Sequence, residues 1–332
     1  MTVKLKRPDT RKILSAISGP YFALLALILV CALTNDVFFS TQNLLNITRQ
    51  VSYSGIIALG MTFIIICGGI DLSVGSLFAL SGVAATVSMQ SFSTPMATAF
   101  GMSPDAAGLI IGASVALLVA LLGCSVNALV VVFGKLPPFI ATLGTYSIFR
   151  SMALFLANSG TLSIKNQALS DIGGATLLGI PLPAMILVAM TFIMELVLAK
   201  TVFGRHVCAV GSNERVAQFA GIRTGAVKFI TYLIPGICIG ISSFLFLGRL
   251  GSISSSDAGM LYELDAIAAV IIGGASMSGG RGKLRGTLAG ILILGVVSNI
   301  LDMWGVSVNL KGVVKGLVII ISVLIQRKEK TS

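Results

Sequence analysis

Long apolar runs constrain this sequence more than any other feature. Of its 332 residues, 55% are apolar and only 11% are charged, whereas a soluble domain carries about 25% charged residues. A helix of about 20 apolar residues spans the hydrocarbon core of a bilayer, which is about 30 Å thick. The sequence therefore predicts an all-α integral membrane protein with about ten transmembrane helices. The predicted spans cover residues 19–34, 51–67, 72–89, 108–133, 139–157, 183–199, 228–248, 264–280, 286–301 and 312–325.

Two of these spans come from one long apolar stretch at 51–89. At about 1.5 Å per residue this stretch is too long for a single crossing, and Gly68-Gly69 interrupts it. Two crossings fit better. The run at 264–280 is shorter and rich in Gly and Ser, so an eight-span arrangement with re-entrant segments is the alternative.

The basic residues predict how the chain is oriented. Most of the 23 Lys and Arg lie in segments that a ten-span chain with both termini inside would place in the cytoplasm, as the positive-inside rule requires. This orientation explains the net charge of +11 without nucleic acid as a partner. The predicted domains are a cytoplasmic basic tail at 1–18, a transmembrane domain at 19–326 and a second cytoplasmic tail at 327–332.

Motifs for catalysis and metal binding are missing. The five cysteines have no C-x-x-C spacing, and His206 is the single histidine, so we expect no catalytic residue and no metal site. A P-loop is also absent, because Leu284 follows Gly282-Lys283 where Ser or Thr would be needed. Few acidic residues lie in the apolar runs, which weakens the case for a proton- or sodium-coupled mechanism.

Two charged residues lie within or between apolar runs, where charge is costly and usually functional. Asp71 follows the Gly-Gly pair; it could cap a helix starting at Leu72 or contact a substrate directly, and both roles stay open. Arg150 lies inside the run at 139–157. We expect it to be a structural intramembrane charge that snorkels, pairs with a carboxylate or meets helix C-terminal carbonyls.

An internal similarity suggests a duplicated architecture. Residues 64–76 and 269–281 share five of thirteen positions, including the Gly-Gly pair. Many transporters are built from repeats whose broken helices meet near the substrate path. Because Gly and Ser are common in membrane spans, chance and common ancestry both remain explanations.

The longest predicted cytoplasmic segment, 201–228, contains a short amphipathic helix. Asn213 can cap this helix, Val216, Phe219 and Ala220 fall on one face, and Gly221 can end it. A helix this short and polar cannot span the membrane. We interpret its apolar face as a docking surface for a soluble partner; the alternative is a helix that rests on the bilayer.

Three long segments resemble one family of transport proteins. Residues 60–82, 209–222 and 262–282 closely resemble the ribose/xylose-type permeases of bacterial ATP-binding-cassette importers, which are grouped with branched-chain amino-acid permeases. The resemblance implies a multi-pass permease of the bacterial inner membrane, in contact with membrane lipid. Its implied partners are a cytoplasmic ABC ATPase, a periplasmic or extracellular sugar-binding protein and a second permease subunit, identical or related. No cofactor is implied for this chain, because ATP acts on the ATPase.

The resemblance also implies that the segment 204–222 couples the permease to the ATPase. Ser212 stands where family members often have Gly, and Val216 replaces a common small residue. These departures concern the choice of partner rather than the mechanism. The implied coupling residues are Gly211, Asn213, Glu214, Ala217, Phe219 and Gly221.

The implied mechanism is alternating access driven by ATP, with a monosaccharide such as ribose as the leading substrate. A polyol, a nucleoside or an amino acid stays open. The competing hypothesis is an ion-coupled secondary transporter of a small polar solute, which would depend on Asp71. Our hypothesis for the translocation path or its gate comprises Gly68, Gly69, Asp71, Ser73, Gly75, Gly273, Gly274 and Ser278.

Overall fold

The fold is a bundle of long helices. The computed structural model describes residues 10–307, 310–318 and 320, with side chains from residue 19 onward. The helices of the described part are α1 (Thr10–Thr34), α2 (Thr41–Ile66), α3 (Val74–Phe100), α4 (Pro104–Val132), α5 (Pro138–Leu156), α6 (Gln167–Gly174), α7 (Leu182–Lys200), α8 (Val202–Ser212), α9 (Glu214–Phe219), α10 (Thr224–Leu250), α11 (Tyr262–Ile272) and α12 (Leu284–Met303).

Seven helices of the described part are long and apolar enough to cross a membrane: α2, α3, α4, α5, α7, α10 and α12. Helix α1 adds a shorter apolar stretch, Gly19–Thr34. The all-α membrane architecture is therefore confirmed, but the count of ten spans is not. The predicted tail at 1–18 overlaps the start of α1, while 1–9 and the tail at 327–332 lie outside the described residues.

One predicted span is wrong as a single helix. The run at 264–280 forms only α11, whose 11 residues extend about 16 Å at about 1.5 Å per residue. The helix ends at Gly273, and Gly274 takes a left-handed conformation with φ +86°. The segment that follows is irregular and folds back against α2.

Helix α2 lies at the centre of the bundle. It packs against α10, α11, α12 and α7, and nearly every residue from Val51 to Ile66 is buried. It begins ten residues before the predicted run because Ser40 caps its polar first turn, accepting a hydrogen bond from the Asn43 amide at 3.3 Å. Capping of this kind lets a helix extend beyond its apolar stretch.

Helices α4 and α10 pack closely on one side of the bundle. A Cβ on Gly240 would lie 2.7 Å from the Leu117 Cα, so the missing side chain allows the two backbones to approach each other. Small residues serve this purpose in membrane helix packing, where no hydrophobic effect separates helix from lipid.

Short strands lie at the end of the bundle opposite α8 and α9. Strand β1 (Thr161–Ser163) pairs antiparallel with β4 (Ser252–Ser254), and β2 (Thr176–Leu177) pairs with β3 (Ile180–Pro181). The first pair ties the α5–α6 connection to the α10–α11 connection. These two connections therefore form one structure at this end.

Candidate transport site

A cavity of about 890 Å³ opens at the end of the bundle that carries α8 and α9, the predicted cytoplasmic side. The ends of α2 and α4, the connection to α5 and the first turns of α10 form its walls. Predicted path residues and predicted coupling residues both line it, so the structure brings the two sets together. The former are Gly68, Gly69 and Ser278, and the latter are Gly211, Asn213 and Glu214.

The helix breaks at the two Gly-Gly pairs have the same backbone geometry. After α2, Gly68 has φ +88°, and its amide and that of Gly69 donate to the carbonyls of Ile65 and Ile64. After α11, Gly274 has φ +86° with the equivalent hydrogen bonds. Gly274 is thus the counterpart of Gly68, so the sequence alignment of the two segments is shifted by one residue.

Asp71 is buried and fully hydrogen-bonded. Its Oδ1 accepts from the Ser73 amide at 2.8 Å and from the Ser73 hydroxyl at 2.7 Å, while its Oδ2 accepts from Asn127 Nδ2 at 3.1 Å. Asn127 in turn accepts from the Thr145 hydroxyl at 2.7 Å. The carboxylate therefore joins the α2–α3 connection to α4 and α5.

This geometry changes the predicted role of Asp71 and Ser73. Helix α3 starts at Val74, two residues later than expected, so Asp71 does not cap a helix at Leu72. Both Asp71 and Ser73 are completely buried, and neither lines the cavity. Their side chains hold the broken segment in place instead of facing the cavity.

Gly75 and Gly273 are packing positions. A Cβ on Gly75 would overlap the Gly259 carbonyl oxygen and the Glu263 carboxylate, and one on Gly273 would overlap the backbone of Gly286. Neither residue lines the cavity. Both allow α11 and the segment before it to lie directly against α3 and α12.

Three segments meet near the cavity through glycine backbone, at a contact that we call the glycine junction: the end of α2 at Ile66, the end of α8 at Gly211, and Gly279-Gly280. The Gly280 amide donates to the Ile66 carbonyl at 2.8 Å. A Cβ on Gly211 would overlap that same carbonyl, and one on Gly279 would lie 2.5 Å from the Gly211 carbonyl oxygen. Gly211, in the last turn of α8, therefore packs against the end of α2 and against Gly280.

Helix α9 has the predicted cap. The Asn213 side chain accepts from the Val216 amide at 3.1 Å, and Gly221 follows the helix with φ +80°. Val216 is 60% exposed and Phe219 is 93% exposed. Two apolar side chains thus project from this helix.

The other face of α9 is fixed to the chain itself. Glu214 forms an ion pair with Lys228 of α10 at 2.6 Å, and Gln218 donates to the Thr224 hydroxyl at 3.1 Å. Ala217 is only 3% exposed. Glu214 and Ala217, both predicted coupling residues, therefore hold α9 on the bundle, while Val216 and Phe219 project from it beside the exposed Arg215.

Buried or partly buried charges bind backbone groups elsewhere in the bundle. Arg150 donates from Nη1 to the carbonyls of Ser255 at 2.8 Å and Ala258 at 3.0 Å, both in the connection between α10 and α11. Glu195 accepts from the Leu284 amide at 2.7 Å and so caps the start of α12. The sequence did not identify this cap, because 89 positions separate the two residues.

Sequence reasoning also missed Tyr232, which lines the cavity from α10. Its only sequence signal is a hydroxyl inside an apolar run. No group of three or more His, Cys, Asp or Glu residues in the described part of the chain could hold a metal ion. Burial raises the pKa of the half-buried Cys208 thiol on α8, so this thiol stays protonated near neutral pH and is a poor nucleophile.

The bundle of apolar helices and the cavity at one end define a multi-pass membrane transport protein. Residues 43–323 match the family described as the permease component of branched-chain amino acid transport systems, and the chain belongs to this family. Members of the family are transport subunits, so the chain is a permease and not an enzyme.

Curated relatives are similar over nearly the whole chain. The ribose import permease of Bacillus subtilis is 39% identical over 320 residues, which cover 94% of this chain and 92% of that protein. The ribose import permease of Haemophilus influenzae is 37% identical, with 92% and 91% covered. The L-arabinose transport permease of Escherichia coli is 31% identical, with 91% and 87% covered.

Proposed function

We propose that this chain is the membrane-spanning permease subunit of an ATP-binding-cassette importer for a monosaccharide of the ribose type. A sugar-binding protein outside the cytoplasmic membrane would deliver the substrate, and a separate cytoplasmic ATPase would drive transport. The observation that carries the substrate class is similarity across nearly the full length to permeases named for ribose and L-arabinose. The ion-coupled alternative has no support, because its candidate carboxylate, Asp71, is buried among hydrogen-bond donors.

The exposed face of α9 supports docking of the ATPase. Val216 and Phe219 place apolar side chains in solvent at the predicted cytoplasmic side. Exposed apolar side chains on a rigidly held helix are typical of a helix that inserts into a hydrophobic groove. The ion pair of Glu214 with Lys228 holds this helix in position for a partner.

The glycine junction supports a route by which ATPase movement reaches the membrane helices. Helix α8 leads directly into α9 through Asn213, and its last turn contacts the end of α2 at Gly211. Displacement of α9 would therefore move the broken segment around Gly68-Gly69 that lines the cavity. In this mechanism ATP binding moves α9, the cavity changes its access from one side to the other, and hydrolysis resets the cycle.

The remaining features of the proposal are its orientation and assembly. Both termini would be cytoplasmic, and the permease would pair with a second permease subunit, identical or related. Helix α5 leaves large apolar side chains exposed in the single chain, among them Phe139, Leu143 and Phe155. These side chains would face membrane lipid or the second subunit.

The test is co-purification from the native membrane in mild detergent. We expect a stoichiometric ATPase with the unmodified permease, and loss of most of it with Phe219→Asp, because a carboxylate cannot enter an apolar groove without a large desolvation cost. Val216→Asp should act in the same direction. Uptake of D-ribose and L-arabinose by cells that contain each variant gives the transport readout.

Leu178→Asp is the matched control, because Leu178 is also 93% exposed but lies at the opposite end of the bundle. It should leave the ATPase bound. Retention of the ATPase by Phe219→Asp would refute the docking surface. An unmodified permease that purifies without any ATPase, and takes up neither sugar, would refute the importer proposal itself.

A further inference from the structure

The hydroxyl of Tyr232 has no hydrogen-bond partner among the described residues, although the side chain is only 3% exposed. Buried polar groups are nearly always paired, because an unpaired one has lost its water without replacement. A hydroxyl that no protein group pairs is therefore free to bond with what fills the cavity, whether water or a ligand.

The hydroxyl lies beside the helix break at Gly68-Gly69, and Tyr232 is the cavity-lining residue farthest along α10 from its first turn. Tyr232 lines the cavity together with Gly68 and Gly69, and a Cβ on Gly69 would lie 2.9 Å from the hydroxyl oxygen. A side chain at position 69 would therefore crowd this oxygen. A small movement of the Gly68-Gly69 segment would thus expose the hydroxyl to whatever occupies the cavity.

No charged side chain among the described residues forms a hydrogen bond with this hydroxyl. Asp71 accepts instead from Ser73 and Asn127. The charged residues that line the cavity are Lys135, Glu214, Arg215 and Lys228, of which Glu214 and Lys228 form an ion pair. The tyrosine hydroxyl is neutral and can donate a hydrogen bond to one ligand oxygen while it accepts one from another. These properties suit a polyhydroxylated, uncharged ligand.

We propose that the Tyr232 hydroxyl hydrogen-bonds the transported monosaccharide beside the helix break, which makes Tyr232 a substrate-contacting residue. This inference rests on the proposed function and adds the contact residue. A single neutral hydrogen bond is strong enough to favour entry of the sugar and weak enough for its release.

The test separates sugar movement from ATP hydrolysis in reconstituted importer with its own ATPase and binding protein. Tyr232→Phe removes only the hydroxyl. We expect the D-ribose transported per ATP hydrolysed to fall about threefold to tenfold, the range for one lost hydrogen bond. ATPase stimulation by the loaded binding protein should stay unchanged, because α9 and the glycine junction are intact.

Thermal unfolding of the detergent-solubilised complex without sugar gives an independent readout. No described protein group pairs with the hydroxyl, so Tyr232→Phe should leave the melting temperature unchanged or raise it. Tyr53→Phe is the matched control, because it also removes one buried tyrosine hydroxyl, but Tyr53 does not line the cavity. It should leave the ratio of sugar to ATP unchanged.

Three outcomes would overturn the inference. An unchanged ratio of sugar to ATP in Tyr232→Phe refutes the contact while the proposed function stands. A lower melting temperature, with uptake and hydrolysis reduced together, means that the hydroxyl is structural. If unmodified importer moves neither D-ribose nor L-arabinose, the proposed substrate class fails, and the sugar contact fails with it.

Discussion

At the scale of single residues, Asp71 shows how a costly charge is stabilised in a membrane bundle. Its hydrogen bonds come from Ser73 beside it and from Asn127, 56 positions away. A carboxylate with this many donors is stable where an isolated one would not be. The sequence identified Asp71 as unusual, but the partner that decides its role lies on another helix.

Asp71→Asn should destabilise the permease by about 1–3 kcal/mol, the cost of leaving buried polar groups unpaired. The new amide nitrogen would have to face a donor, either Asn127 Nδ2 or the Ser73 amide. Thermal unfolding in detergent measures the effect. Asp36→Asn is the control, because Asp36 is exposed and should leave the melting temperature unchanged; equal stability of both variants would refute the structural role.

At the scale of elements, the segment between α7 and α10 forms two helices with a corner at Asn213. Helix α8 packs on the bundle, and α9 exposes the apolar side chains of Val216 and Phe219. The amphipathic pattern and the cap were readable from Asn213, Val216 and Phe219 because they are local. The contact of Gly211 with Ile66 was not, since 145 positions separate them and glycine carries no side chain that would reveal a partner.

Gly211→Ala should separate α8 from the end of α2, because the new Cβ would overlap the Ile66 carbonyl. We expect sugar uptake to fall at least tenfold, while the ATPase remains bound through the unchanged face of α9. Gly144→Ala is the control, since a Cβ at that helical position meets nothing within 4 Å. Normal uptake by Gly211→Ala would show that the glycine junction does not transmit movement.

At the scale of the whole molecule, the bundle has two distinct ends. The cavity, α9 and the glycine junction lie at one end, and the strand pairs lie at the other. The distribution of Lys and Arg predicts that the cavity end is cytoplasmic. With this orientation, the cavity, α9 and the glycine junction face the cytoplasm, and the strand pairs face the opposite side of the membrane.

Two cysteine variants test this orientation, because Leu178 and Phe219 are equally exposed, at 93%, on opposite ends. A membrane-impermeant maleimide should label Leu178→Cys in intact cells, or in spheroplasts where an outer membrane blocks access. It should label Phe219→Cys only after the cytoplasmic membrane is permeabilised. The unmodified chain, whose described cysteines are buried or half-buried, gives the background; the reverse pattern would invert the orientation.

The sequence by itself determined the membrane class, the interruption at Gly68-Gly69, the cap of α9 and the family. Each depends on composition or on residues close together in the chain, where hydrophobicity and helix capping act. Only the tertiary structure decided that α11 stops after 11 residues, that Asp71 is a buried anchor and that Tyr232 lines the cavity. Those outcomes depend on contacts between distant helices, and close backbone packing through glycine leaves no distinctive side-chain pattern from which to predict them.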